Sequence, residues 1–232
     1  MAIILHIESS TLTCSVAVAQ NGKTMALKES QDTSYAHSEN LVVYIDEAIN
    51  AAGIKPTDLD AVCVSKGPGS YTGLRIGVSA AKGLCYGLGI PLLSVGSLES
   101  MAHLVKQNYR SELADITAFC PMIDARRMEV YAQVFDSDLN PISVVSAEII
   151  EDDSFAKQLE FGKVAFFGDG SDKCKDIIKH SNAIFLNGFN ISSKGMIALA
   201  ESKFYRSEFE DVAYFEPYYL KDFVAGKPKK MF

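Results

Sequence analysis

The residues best suited to hold a phosphate or activate a hydroxyl fall in two short polar segments. The first, Glu8-Ser9-Ser10-Thr11, follows the apolar run Ile3 to Ile7 and suits a phosphate, a Mg²⁺ ion or a solvated turn. The second, Gly67-Pro68-Gly69-Ser70-Tyr71-Thr72-Gly73, joins an apolar run to a helical pattern, and free N–H groups at a helix N-terminus hold anions. It lacks the Gly-Lys-Ser/Thr ending of a P-loop and does not match G-x-G-x-x-G, so a tight turn without ligand accounts for it equally. Glu8, Ser9, Gly67, Gly69 and Arg75 are the candidate anion or nucleotide loop residues.

Other chemistry-bearing residues form no constellation. Ser70 lies in Gly-Ser-Tyr-Thr-Gly rather than G-x-S-x-G, and no histidine or carboxylate is placed to activate it. His6, His37, His103 and His180 are too scattered for a metal site. The five cysteines are odd in number and widely spaced, which reads as buried thiols. The paired arginines of Asp124-Ala125-Arg126-Arg127 suit a phosphate or carboxylate, or plain solvation, and Gly226-Lys227-Pro228-Lys229-Lys230 forms a small basic tail.

The elements that position these residues follow from periodicity. Leu12 to Ala19 alternates as a half-buried strand, Asn21-Gly22 supplies a hairpin turn, and a third strand runs from Thr24 to Lys28. Apolar spacing predicts helices from Ser34 to Ala52, from Thr72 to Leu88 and from Ser97 to about Gln107, with strands at Ala61 to Ser65 and Leu92 to Val95 between them. This order predicts a hairpin meander followed by parallel strands with helical crossovers. The second half predicts strands at Ile116 to Ile123, Met128 to Phe135, Val164 to Phe167 and Ala183 to Leu186. It also predicts a short helix near Asp172 to Lys179 and a helix from Ser193 to Tyr205. Two related lobes, residues 1–108 and 109–232, are the economical division of 232 residues.

The helix from Thr72 to Leu88 has an apolar seam, Leu74, Val78, Ala81, Cys85 and Leu88, and a stripe of small residues, Gly73, Gly77, Ala80, Gly83 or Leu84, and Gly87. Each interior glycine costs roughly 1 kcal/mol relative to alanine, so packing must compensate. A neighbouring helix of the same chain or a second subunit would do so, and the helix from Ser34, with Leu41, Val42, Val43 and Ile45, is apolar on more than one side. A bulky residue at Gly77 is expected to disrupt a partner contact and leave the chain folded.

A net charge of −7 disfavours independent nucleic-acid binding. No apolar run reaches the roughly 20 residues of a membrane span, and the first residues lack a signal-peptide pattern, so a cytoplasmic location is expected.

Ile4-Leu5-His6-Ile7-Glu8-Ser9-Ser10-Thr11, Cys14-Ser15-Val16-Ala17, Gly67 through Gly77, Asp124-Ala125-Arg126 and Pro217-Tyr218-Tyr219-Leu220 together resemble the TsaB (YeaZ) family of bacterial tRNA threonylcarbamoyladenosine biosynthesis proteins, also described as glycoprotease-like. The resemblance implies an α/β, actin/Hsp70/sugar-kinase (ribonuclease H-like) fold of two lobes with mixed sheets flanked by helices. It implies a non-catalytic scaffold that pairs with the paralogue TsaD, which transfers threonylcarbamoyl to the adenosine beside the anticodon, and with the ATPase TsaE. The chain would form a homodimer when alone, meet tRNA only through the complex, and hold no cofactor, ATP and metal residing in the partners. The family's partner contact carries over to His37, Leu41, Ile45, Leu74, Gly77, Val78, Ala81 and Leu84. Where the paralogue carries His-x-x-x-His for its metal, this chain reads Ser97-Leu98-Glu99-Ser100-Met101, which cannot replace two imidazoles. The family of folds begins its first phosphate loop with Asp, and Glu8 is one methylene longer. The competing expectations are a stand-alone enzyme, either an ATP-dependent phosphotransferase or a glycoprotease-like peptidase, and a self-sufficient homodimer.

Overall fold

A computed structural model describes residues 2–31, 37–109, 113 and 115–221, with only the backbone for 31 and 37–39. The start of the first predicted helix at Ser34, the side chain of His37 and the lysines of the tail lie outside the described residues. The chain opens with β1 (Ile3–Glu8), β2 (Thr13–Gln20) and β3 (Lys23–Gln31), an antiparallel meander. Asn21 and Gly22 make the first turn at φ 49° and 71°, the left-handed pair such a turn requires. Then follow α1 (His37–Ala51), β4 (Ala61–Gly67), α2 (Tyr71–Leu88) and β5 (Leu92–Gly96). β4 runs parallel to β1 and to β5, giving a mixed first sheet in the order β3-β2-β1-β4-β5. α1 and α2 cover one face of it, burying Leu41, Ile45, Ala48, Val78 and Ala81 against Leu5, Ile7, Val16, Val62 and Val64.

A second sheet is built from β6 (Ile116–Asp124), β7 (Glu129–Ala132), β9 (Ser146–Ile149), β10 (Lys163–Phe167) and β11 (Ala183–Phe185), in the order β11-β10-β6-β7-β9, with the short β8 (Phe135–Asp136) against β6. The helices α3 (Ser97–Asn108), α4 (Ala156–Phe161) and α5 (Ile197–Tyr205) complete the described fold. Neither β9 nor α4 is among the predicted elements. The helix predicted near Asp172 is a 3₁₀ turn of three residues, and that predicted from Ser193 is a 3₁₀ turn, Ser193–Met196, leading into α5.

The expected division at residue 108/109 separates the sheets but not the helices. α3 precedes that boundary, yet its Leu98, Met101, Ala102 and Val105 pack with Phe119, Ile123, Phe135 and Phe167 of the second sheet. The chain returns at its other end, where Met196 and Ala200 cover Ala2, Ile4, Cys63, Leu93 and Val95 on the second face of the first sheet. This return explains why β2 is buried along both faces rather than half-buried: Ala17 and Ala19 meet Ile197. The Ser15 hydroxyl lies 2.8 Å from that of Ser193 and donates to Glu29 Oε2, at 3.0 Å. Small side chains on that face let the 3₁₀ turn approach the strand, and hydroxyl partners satisfy the polar groups it buries.

Beyond α5, residues 208–221 run along the first lobe as a strap. The Glu210 N–H donates to the Leu92 carbonyl at 2.8 Å, Lys82 Nζ donates to the carbonyls of Ala213 and Phe215, and the Tyr218 N–H donates to the Lys66 carbonyl at 2.7 Å. Lys221 then reaches the second sheet, where it pairs with Glu129.

Candidate functional site

The two polar segments singled out for phosphate chemistry meet face to face. The Ser70 N–H donates to the Ser10 carbonyl at 2.6 Å, the Ser9 hydroxyl donates to the Gly73 carbonyl at 2.9 Å, and the Ser9 N–H reaches Ser65 Oγ at 3.3 Å. The Ser10 N–H donates to Glu8 Oε1 at 2.7 Å, and Ser70 Oγ caps α2 by accepting from the Gly73 N–H at 3.2 Å. Four of the loop N–H groups that an anion would need are thus engaged within the chain, and the Ser70 hydroxyl acts as a helix cap. The glycines serve the contact. A Cβ at Gly69 would overlap the Ser10 carbonyl, and Gly67 sits at φ 106° with the Tyr218 carbonyl where a side chain would go.

Glu8 is fully buried beneath this contact, and its Oε2 has no hydrogen-bond partner. Burial raises its pKa against the hydrogen bonds from Ser10, so the neutral acid is favoured in the fold. Next to it on the same strand face, His6 is pushed down to about 4 by burial and is neutral. Arg75, one turn into α2, stands exposed with its guanidinium 4.6 Å over the Tyr71 ring. Ser97 and Met101, at the positions compared with paired metal-binding histidines, are 0% and 1% exposed at the start of α3. Among the described residues no group of three or more His, Cys, Asp or Glu side chains can hold a metal ion.

Most of the residues expected to meet a partner are the first lobe's own core. Leu41, Leu74 and Ala81 are 1%, 1% and 0% exposed, and Ile45 and Val78 are also buried, so they have almost no surface left for a second molecule. Gly77 is buried as well, because a Cβ there would overlap the Ser9 hydroxyl. A bulky residue at Gly77 therefore strikes β1 and its loop before it can affect any partner. The small-residue stripe divides: its N-terminal half receives the Ser9 loop, whereas at Gly83 and Gly87 an added Cβ would meet nothing within 4 Å. The outward faces of the same two helices carry exposed apolar groups, Val42 (68%), Val43 (51%) and Tyr86 (86%), with Leu84 half-buried at the edge. Tyr86 is the residue that periodicity passed over. Its signal is a large aromatic group one position off the buried seam, flanked by Gly83 and Gly87.

The turn at Asp124-Ala125-Arg126-Arg127 lies at the end of β6 beside the Gly168-Asp169-Gly170 turn, since the Asp124 N–H donates to Asp169 Oδ1 at 3.0 Å. Burial raises the pKa of Asp169. Lys173 pairs with Asp124.

Known proteins are similar to this chain along nearly its whole length. The Escherichia coli protein named tRNA threonylcarbamoyladenosine biosynthesis protein TsaB is 30% identical over 97% of this chain and 96% of its own. The chain belongs to the TsaB family. The related transferase family, described as "TsaD: tRNA N6-adenosine threonylcarbamoyltransferase", matches residues 29–227. A TsaD-type transferase of Phocaeicola vulgatus, 36% identical, aligns over only 46% of this TsaB-family chain and 36% of its own length. YeaZ from Pseudomonas aeruginosa shares the fold, with a TM-score of 0.82 at 22% identity over 95% of this chain and all of that one. No described helix of this TsaB-family chain is long and apolar enough to cross a membrane.

Proposed function

We propose that this chain is a non-catalytic scaffold in tRNA threonylcarbamoyladenosine biosynthesis, holding a TsaD-type transferase in its active arrangement through the outward faces of α1 and α2. The observation that carries this reading is the open apolar surface there: Val42, Val43 and Tyr86 project from two helices whose inner faces are already packed, beside glycines that let another backbone approach. Small residues flanked by a large aromatic group suit helix-on-helix docking, the aromatic group supplying the buried anchor. Alone, the chain would pair with a second copy through the same surface. In the assembly it would be joined by a TsaE-type ATPase, with ATP and metal in the partners and tRNA recruited by the complex.

The absence of a catalytic role is supported by the loop contacts, because a phosphotransferase needs donors at the phosphate and a peptidase needs an activated nucleophile. The test is co-elution of the Tyr86→Ala/Val43→Asp variant with a TsaD-type partner. The variant is expected to stay folded by circular dichroism and to bind at least about tenfold more weakly, the effect of losing roughly 1.4 kcal/mol at a hot spot. Unchanged binding would refute this placement. ATP or peptide turnover by the isolated chain would refute the scaffold role.

A further inference from the structure

The partner surface leaves the two arginines of the turn between β6 and β7 unused, and they carry a separate argument. Arg126 and Arg127 are exposed, form no ion pair among the described residues, and sit at φ 71° and 51°, a left-handed conformation that L side chains rarely adopt. Their backbone is held there by the Arg126 N–H on Asp124 Oδ1 at 3.0 Å and the Glu129 N–H on the Arg126 carbonyl at 3.2 Å. From β7, which follows this turn, the strap carries basic and aromatic groups to the first lobe. Glu129 pairs with Lys221, whose Nζ lies 5.9 Å from the Tyr131 ring centroid. Two residues back along the strap, the Tyr219 ring meets Tyr71 at 4.8 Å, and Arg75 lies over the far part of that pair. The nearby carboxylates Asp124 and Glu129 are paired with Lys173 and Lys221; of the strap's other acids, Glu208 pairs with Arg206, Glu210 accepts from the Ser94 hydroxyl, Asp211 accepts from the Ala213 and Tyr214 N–H groups, and Glu216 is exposed. Arg75, Arg126 and Arg127 are exposed cations in no ion pair among the described residues, on a chain of net charge −7.

We infer that this composite face, Arg75, Tyr71, Tyr219, Lys221, Arg126 and Arg127, is a direct RNA contact made by this chain within the assembly. Guanidinium forks recognise phosphate, and tyrosine rings beside them offer stacking faces to unpaired bases. That combination suits a tRNA loop better than a small anion, which has no use for the rings. A few phosphate contacts give little affinity alone, so a chain this acidic binds RNA appreciably only when a partner supplies the rest. The inference rests on the scaffold reading and adds a substrate contact to it.

The test uses the complex with a TsaD-type partner and labelled tRNA, titrated across a salt series. Arg126→Gly/Arg127→Gly removes both charges and relieves the left-handed strain, so its thermal midpoint should be no lower than that of the unchanged chain. Its tRNA Kd should rise at least about fivefold, and the slope of log K against log salt should shrink by about 1.5 to 2, one phosphate per arginine. Arg126→Glu/Arg127→Glu should weaken binding further, and Tyr219→Leu should raise Kd with little change in slope. Lys157→Glu/Lys179→Glu, exposed lysines elsewhere on the second lobe, should leave Kd within twofold. Unchanged Kd and slope in the glycine variant overturn the inference, as does an equal loss in the lysine control or a loss confined to inorganic phosphate or ATP. Failure of the unmodified chain to bind a TsaD-type partner would instead bring down the scaffold reading, and this inference with it.

Discussion

Two glycines six residues apart on α2 should respond to the same substitution in opposite directions. At Gly77 an alanine Cβ overlaps Ser9 Oγ and lies 3.6 Å from Ile7 Cγ2, so Ser9 must turn away and give up its 2.9 Å hydrogen bond to the Gly73 carbonyl. Losing that bond costs about 1 kcal/mol, and overpacking a strand–helix contact costs about 1–3 kcal/mol. The gain in helix propensity returns about 1 kcal/mol, leaving Gly77→Ala destabilised by about 2 kcal/mol. For a domain of this size that lowers Tm by about 4–8 °C. At Gly83 nothing lies within 4 Å of the added methyl group, so only propensity acts. Gly83→Ala should raise Tm by about 1–4 °C. The assay is thermal and urea denaturation of the isolated chain, followed by co-elution with a TsaD-type partner. Gly83→Trp should keep the isolated fold and lose the partner, whereas Gly77→Ala should lose stability and bind normally once folded. Equal stability changes at the two positions would refute the division of α2 into a loop-bearing half and an open half.

The remaining expectations concern buried titratable groups. Because Glu8 has its pKa raised in the fold, its ionisation opposes folding as pH rises; Glu8→Gln should stabilise the chain increasingly as pH rises above the ordinary carboxylate value, and the benefit should fade as pH falls back toward it, read from urea midpoints. His6 acts in the opposite sense. Its folded pKa of about 4 lies below the unfolded 6.5, so its contribution is complete above 6.5 and is lost as pH falls toward 4. At full effect this is about 3 kcal/mol, and His6→Asn should flatten that limb. All five cysteines are free and buried, and burial pushes the Cys85 and Cys174 thiols up to about 11, so none should react with a thiol reagent before denaturation.

Much of this fold can be read from sequence where a local rule has one physical solution. Asn21-Gly22 tolerates left-handed backbone, and Gly53 and Gly89 end helices at φ 70° and 68°, so the hairpin and both helix ends are legible. β9 and α4 are not, since Ser146–Ile149 and Ala156–Phe161 are four and six residues long and shorter than the window in which a period can be recognised. The candidate site shows a different limit. Periodicity identifies Leu41, Ile45, Val78 and Ala81 as buried, but it cannot tell whether the cover belongs to the same chain; here it is the first sheet. The loop segments were legible as a pair, yet their direct contact depends on strands β1 and β4 lying side by side, a long-range fact that no short motif carries.

The return of Met196 and Ala200 to the strands that open the chain bears on how the protein is made. A ribosome releases Ile4 and Ala61 long before it has synthesised the helix that shields their second face. Throughout that interval the nascent first sheet exposes a greasy side that only α5 and the turn before it can close. Premature termination before α5 would leave a sticky fragment rather than a usable half-molecule, and the first lobe cannot be excised from the gene as one uninterrupted piece.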